Sequence, residues 1–235
     1  MTALFPVDRA AVRGEVRGVG LHARGGGQAA LSSVPVLDSA GRRDYIWEDQ
    51  LVARNSVTLS RIELADWRAV HSWASLAEVC RFQVWGPNTE EQTRAFVVTA
   101  VEAWSHVPRQ RFAYVARVGG EAVGMGELHI RSRGQRQGEV TYAVHPRVWG
   151  QGVGTAIGRE LLARGFGDLE LHRVYATCDP RNVGSARVLG KLGMTREGRH
   201  RHTALIRDGW RDSEMFSILE DEWRAVTPST RPRQE

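Results

Sequence analysis

Cysteine is nearly absent: Cys80 and Cys178 are the only two in 235 residues. That is too few for a disulfide framework or a four-ligand zinc site, so both read as reduced core thiols. Lysine is scarcer still, and the one present, Lys191, stands far downstream of the chain's glycine-rich turn. A P-loop, which needs a lysine after its last glycine, is thereby excluded. No apolar run approaches the roughly 20 residues of a membrane-spanning helix. The start, Met1-Thr-Ala-Leu-Phe-Pro-Val-Asp8, lacks the basic and apolar regions of a secretory signal. The expectation is a cytoplasmic protein with no membrane partner. Basic tracts are missing too. The net charge of +5 and pI near 9.8 come almost wholly from arginines spread along the chain, with no nucleic-acid motif, so no nucleic-acid partner is expected. A diffuse positive potential equally suits a polyanionic cofactor.

What the chain has is glycine in one informative place. Val140, Tyr142 and Val144 alternate as on a half-buried strand, Pro146 ends it, and Ile157, Leu161, Leu162 and Phe166 recur at helical spacing. Gly150, Gly152 and Gly154 lie between. Glycine permits a sharp turn and a close approach to a ligand, and a helix start offers unpaired N–H groups at its positive end. The combination fits a phosphate or pyrophosphate without a basic side chain. A dinucleotide fingerprint fails, because Ile157 stands where its third glycine belongs. On this stretch alone, a tight turn that binds nothing stays open.

At 235 residues the chain suffices for one good core with appendages. Residues 1–55 show no sustained period and include Gly25-Gly-Gly27; they read as a disordered or loosely attached extension, and translation starting at Val52 or Val57 is a further reading. Order is expected over 56–223, with a frayed tail over 224–235. Val57, Leu59 and Ile62 suggest a strand, and Asp66-Trp67 opens a helix. Thr89-Glu-Glu-Gln92 is a capping box before Phe96, Val97, Ala100 and Val101. Phe112, Tyr114, Ala116 and Val118 alternate, Gly119-Gly120 makes a hairpin turn, and the next strand reaches Ile130. A polar loop over 131–138 leads to the central strand. Beyond the glycine turn come a strand over 171–178, a helix from Asn182 ending at Gly193, and two strands about Asp208-Gly209.

Several motifs in this order resemble the GNAT acetyltransferases. Trp149-Gly-Gln-Gly152-Val-Gly154 matches the family's Gln/Arg-x-x-Gly-x-Gly/Ala turn, with the tryptophan typical of the RimJ/RimL-type subgroup. Asn182-Val-Gly-Ser185 through Gly193-Met194 matches that subgroup's Asn-x-x-Ser segment, with Met194 in place of phenylalanine. Leu171-His-Arg-Val-Tyr-Ala176, Arg196-Glu-Gly198 and Asp208-Gly-Trp-Arg-Asp212 are similar to it as well. The resemblance implies an α/β (α+β) GNAT fold: a central mixed, mostly antiparallel twisted sheet flanked by helices. It also implies acetyl transfer from acetyl-CoA to a primary amine by direct attack on the thioester. The backbone of Ala143 and Val144 would then meet the pantetheine arm, and amides of Gln151, Gly152, Val153, Gly154 and Thr155 the pyrophosphate. Asn182 would cap a helix and touch the pantetheine, and Ser185 would face the departing thiolate.

For the general base, Glu139 at the start of the central strand comes first, with Glu127 and His129 on the preceding strand as alternatives. Cys178 reads as a packed thiol, and His200 and His202 lack further ligands for a metal, so no metal is expected. Trp67, Trp73 and Trp104 read as packing residues, while Trp85 is a candidate for lining the acceptor pocket. The acceptor is expected to be a protein or peptide N-terminus, with a small amine such as an antibiotic, polyamine or amino acid as the alternative. A non-catalytic acyl-CoA sensor is a third reading, and the assembly is expected to be a monomer or homodimer.

Overall fold

The protein, seen in a computed structural model, is described over residues 33–37, 43–47 and 57–226. Strands β1 (Ser33–Leu37) and β2 (Arg43–Trp47) pair antiparallel. No period in the sequence announces them. The remainder of 1–56, and the tail beyond Val226, lie outside the described residues.

From Val57 the chain forms one seven-stranded sheet. Its strands are β3 (Val57–Arg61), β4 (Arg111–Val118), β5 (Glu121–Ser132), β6 (Gln137–Val144), β7 (Arg173–Cys178), β8 (Thr195–Ile206) and β9 (Gly209–Leu219). They lie in the order β3-β4-β5-β6-β7-β9-β8. Every neighbouring pair is antiparallel except β6 and β7. The helices are α1 (Trp67–Ala74), the single turn α2 (Ala77–Cys80), α3 (Glu90–Glu102), α4 (Val153–Gly167), α5 (Val183–Lys191) and α6 (Glu220–Val226).

The alternation in β4 shows how the layers arise. Phe112, Tyr114 and Ala116 face one core and Ala113 and Val115 the other, so the middle of the strand is apolar on both sides. The first core holds Ile157, Leu161 and Phe166 of α4 with Leu189 of α5; the second holds Trp73 of α1, Phe96 and Val97 of α3, and Ala143. Helix α3 begins as the capping box requires: Gln92 N–H donates to Thr89 Oγ1 at 3.2 Å, and Thr89 N–H to Gln92 Oε1 at 2.9 Å. Helix α4 lies so close to the residue after α5 that a Cβ on Gly158 would come 2.4 Å from Leu192 Cδ1.

Two boundaries differ from the sequence reading. The polar stretch expected as a loop over 131–138 is half strand, since β5 runs to Ser132 and β6 starts at Gln137, leaving a turn over 133–136. Polar side chains at a hairpin's exposed end do not disturb main-chain pairing, so polarity there says nothing about the ladder. The C-terminal segment is helical through Val226, anchored by Trp223, whose ring stacks on Phe166 with centroids 5.9 Å apart.

Candidate active site

Strands β6 and β7 pair over only three positions, Gln137↔Arg173, Gly138↔Val174 and Glu139↔Tyr175. Past Glu139 they part, although β6 continues to Val144 and β7 to Cys178. Each keeps its other neighbour: β6 stays paired with β5 as far as Gly124↔Val144, and β7 with β9 as far as Cys178↔Glu214. The interior of the sheet is therefore open between them.

Main-chain directions along this opening follow from β5. His145 N–H donates to Val123 O at 2.8 Å, and hydrogen-bonded positions alternate along an antiparallel pair. In the unbroken register, Glu139, Thr141 and Ala143 thus bond to β5, while Val140, Tyr142 and Val144 turn their N–H and C=O groups toward the opening. Ala143, expected to present its backbone to a ligand, instead directs it at Met125. The Val144 carbonyl accepts the Trp149 indole N–H at 2.8 Å. The Val144 N–H and both main-chain groups of Tyr142 remain directed into the opening. The same indole bond explains tryptophan at the head of the glycine turn: it pins the turn to the end of β6 while 49% of the residue stays exposed.

At the turn, Gly150 and Gly152 take φ of 77° and 78°, a left-handed backbone that favours glycine. Gly152 is the N-cap of α4 and brings no side chain. The first bond within the helix is Ala156 N–H to Gly152 O at 3.0 Å. The N–H groups of Gly152, Val153, Gly154 and Thr155 donate to nothing among the described residues. Gln151 differs, since its N–H reaches Val148 O at 3.4 Å and its side-chain amide donates to Arg147 O at 3.1 Å. Unpaired donors at the positive end of a fifteen-residue helix form an anion site, and a side chain at Gly152 would require a strained backbone.

The far wall of the opening is the start of α5. Asn182 Oδ1 accepts the Ser185 N–H at 3.0 Å, which caps the helix. Ser185 Oγ and the Tyr142 hydroxyl share a hydrogen bond of 2.9 Å. Burial pushes the Tyr142 phenol above its ordinary range, with the Ser185 bond opposing, so it stays protonated at neutral pH. Cys178 also sits here; burial first, and then the Glu214 charge, push its thiol up to about 11. It is a packed thiol rather than a nucleophile. Tyr142 escaped the sequence reading, because its alternation marks it as core and its hydroxyl partner is 43 positions away.

Glu139 lines the same cleft together with Thr141 and with Phe82, Gln83 and Val84 from the segment after α2. The space is continuous with solvent. Glu139 is only 1% exposed. Its Oε2 accepts from Arg131 Nε at 2.8 Å and also from Arg131 Nη2. Its Oε1 has no partner among the described residues. Glu127 and His129 share a face of β5 as expected, but form their own buried group: His129 Nε2 lies 2.7 Å from Glu127 Oε2, and Arg111 Nη2 donates to Glu127 Oε1 at 2.6 Å. Neither lines this cleft. Trp85 is buried in the second core and is likewise not a lining residue. Among the described residues no group of three His, Cys, Asp or Glu is placed to hold a metal, and no helix is long and apolar enough to cross a membrane.

Comparison with known proteins agrees with this geometry. The family model for the acetyltransferase (GNAT) domain matches residues 56–195. The chain is 29% identical over 176 residues to an uncharacterized N-acetyltransferase, YnaD, of Bacillus subtilis (strain 168), covering 73% of this chain and 98% of that one. It is 28% identical over 172 residues to the spermidine N(1)-acetyltransferase of Escherichia coli (strain K12), covering 73% and 90%. A crystal structure of a GNAT-family acetyltransferase from Bacillus anthracis superposes with a TM-score of 0.62 at 30% identity, covering 71% and 96%. At lower identity the fold is shared with RimJ and RimL, the latter solved in complex with coenzyme A (16% identity, TM-score 0.65, covering 72% and 97%). An open central sheet, a bare helix start beside it and a family match over more than half the chain lead to one conclusion: the chain belongs to the GNAT acetyltransferases, and it is an N-acetyltransferase that uses acetyl-CoA to acetylate an amine.

Proposed function

We propose that the acceptor is the N-terminal amine of a peptide or protein. Bound acetyl-CoA supplies the thioester whose acetyl carbon the amine attacks, with coenzyme A leaving as its thiolate. The N–H groups of Gly152 to Thr155 hold the pyrophosphate. The main-chain groups of Tyr142 and the N–H of Val144 continue the sheet onto the pantetheine amides, and Asn182 touches the same arm. Glu139 Oε1 takes a proton from the incoming ammonium, directly or through one water, and so frees the lone pair for attack. Ser185 Oγ, accepting from the Tyr142 hydroxyl, donates to the thiolate sulfur. Burial makes the Tyr142 phenol a weaker acid than usual, so it supports the serine hydroxyl against the thiolate without surrendering its proton.

The observation that favours a peptide over a polyamine is the pairing of the carboxylates around the cleft. Of the described residues that line the cleft, Glu139 is held through Oε2 by Arg131, and both oxygens of Asp179 are held by Arg181. Among these lining carboxylates Glu139 Oε1 alone remains for a cation. A polyamine carries further ammonium groups, each of which needs an anionic or carbonyl partner when desolvated. Polyamine acetylation is the second reading, favoured by the spermidine acetyltransferase relative. Thiol release from acetyl-CoA decides between them. An alanine-initiated peptide is expected to exceed spermidine in kcat/KM by about tenfold or more, and equal or reversed values would overturn the assignment.

A further inference from the structure

The segment that roofs the acceptor side of the cleft, residues 81–88, contains neither helix nor strand. Its hold comes from the other end of the sheet. Arg207, in the β8–β9 turn, reaches across with its guanidinium and donates to four main-chain carbonyls of this segment and the residue before it. Nη1 bonds Trp85 O at 3.1 Å and Gly86 O; Nη2 bonds Cys80 O and, at 3.4 Å, Gln83 O. The segment's own main-chain bonds are few: Gln83 N–H to Cys80 O and Asn88 N–H to Ala74 O, both at 2.9 Å.

The neighbouring residue extends the fastening. Asp208 accepts from Arg181 Nη1 at 2.6 Å, and Arg181 is also held by the buried Asp179, with Nη2 to Oδ2 at 2.8 Å. The Arg181 guanidinium lies 5.6 Å from the ring centroid of Phe82, one of the roof residues. A single hairpin tip, Arg207-Asp208, thus joins the roof to the segment that leads into Asn182 and Ser185.

We infer that Arg207 is a positioning residue for the acceptor: it does not itself line the cleft, but through main-chain carbonyls it fixes Phe82, Gln83 and Val84 over Glu139 and so sets the width of the acceptor entrance. A planar fork with donors on both terminal nitrogens fits carbonyls arranged on two sides; a lysine ammonium, with its donors on one nitrogen, does not. The link to the acceptor rests on the functional assignment above, whereas the clamp itself does not, and the experiment separates the two.

Arg207→Ala and Arg207→Lys are compared with the unaltered enzyme by hydrogen exchange and by steady-state kinetics on acetyl-CoA with the alanine-initiated peptide. Exchange in residues 81–88 is expected to quicken about tenfold in Arg207→Ala and less in Arg207→Lys, with α4 unchanged. The KM for the peptide should rise about tenfold while that for acetyl-CoA stays within about twofold. Unchanged exchange in 81–88 would overturn the clamp, whichever amine proves to be the acceptor. Faster exchange with both KM values rising together would overturn the acceptor-positioning role. Should Arg207→Ala fail to fold, Arg207→Lys, which keeps the charge, carries the same two readouts.

Discussion

Ser185 makes two bonds that serve different ends. Its N–H closes the Asn182 cap, while its hydroxyl meets Tyr142. Replacing Ser185 by alanine keeps the first and removes the second, so kcat should fall about tenfold or more with little change in acetyl-CoA affinity. Tyr142→Phe should fall less, since the serine hydroxyl persists; kinetics and calorimetry on the two variants test this order. Glu139→Gln removes the carboxylate oxygen left over by Arg131, and kcat should fall about a hundredfold or more while acetyl-CoA affinity holds, as kinetics and calorimetry would show. Asn182 and Ser185 were legible because their spacing is a motif. Tyr142 was not, since its alternation reads as packing, and neither was the hold of Arg131 on Glu139, which arises only once β5 and β6 meet in register.

At the scale of elements, the start of α4 is the most sensitive feature. Gly152→Asp would strain a backbone at φ 78° and set a negative charge against the pyrophosphate. Acetyl-CoA binding should weaken by about a hundredfold or more, measured by calorimetry. Packing predicts a second effect. Gly124→Ala would set a methyl 2.6 Å from the Ala143 carbonyl oxygen, main chain that cannot step aside, and should lower stability by about 1–3 kcal/mol, read from denaturant melts. Most element types along 57–219 could be read from period, caps and turns; the single turn α2 could not, and β8, exposed along most of its length, follows from the Asp208-Gly209 turn rather than from an apolar face. The pair β1–β2 and the last turn of α6 could not be read either, as their residues carry no such period. Nor did any pattern reveal that β6 and β7 part company: a strand's own residues state that it is extended, not how far each neighbour follows it.

For the whole molecule, charge pairing ties distant parts together. Asp179 is 2% exposed. Burial works against its ionised form, but the Arg181 hydrogen bonds outweigh burial and hold its carboxyl below the ordinary aspartate range. A depressed folded value means that its contribution is present above the unfolded value of about 4 and disappears as pH falls through the folded one. Asp179→Asn should therefore melt about 5 °C lower near pH 7, with the gap closing toward strong acid, a comparison for thermal melts at both pH values. The parting of β6 from β7 has a mechanical consequence. Two half-sheets, β3 to β6 and β7 with β9 and β8, share a ladder of three residue pairs, while one apolar core beneath α4 and α5 spans both. An extended molecule lying lengthwise in the slot would supply the rungs that the sheet leaves unmade, so the cargo would complete the scaffold for as long as it is aboard.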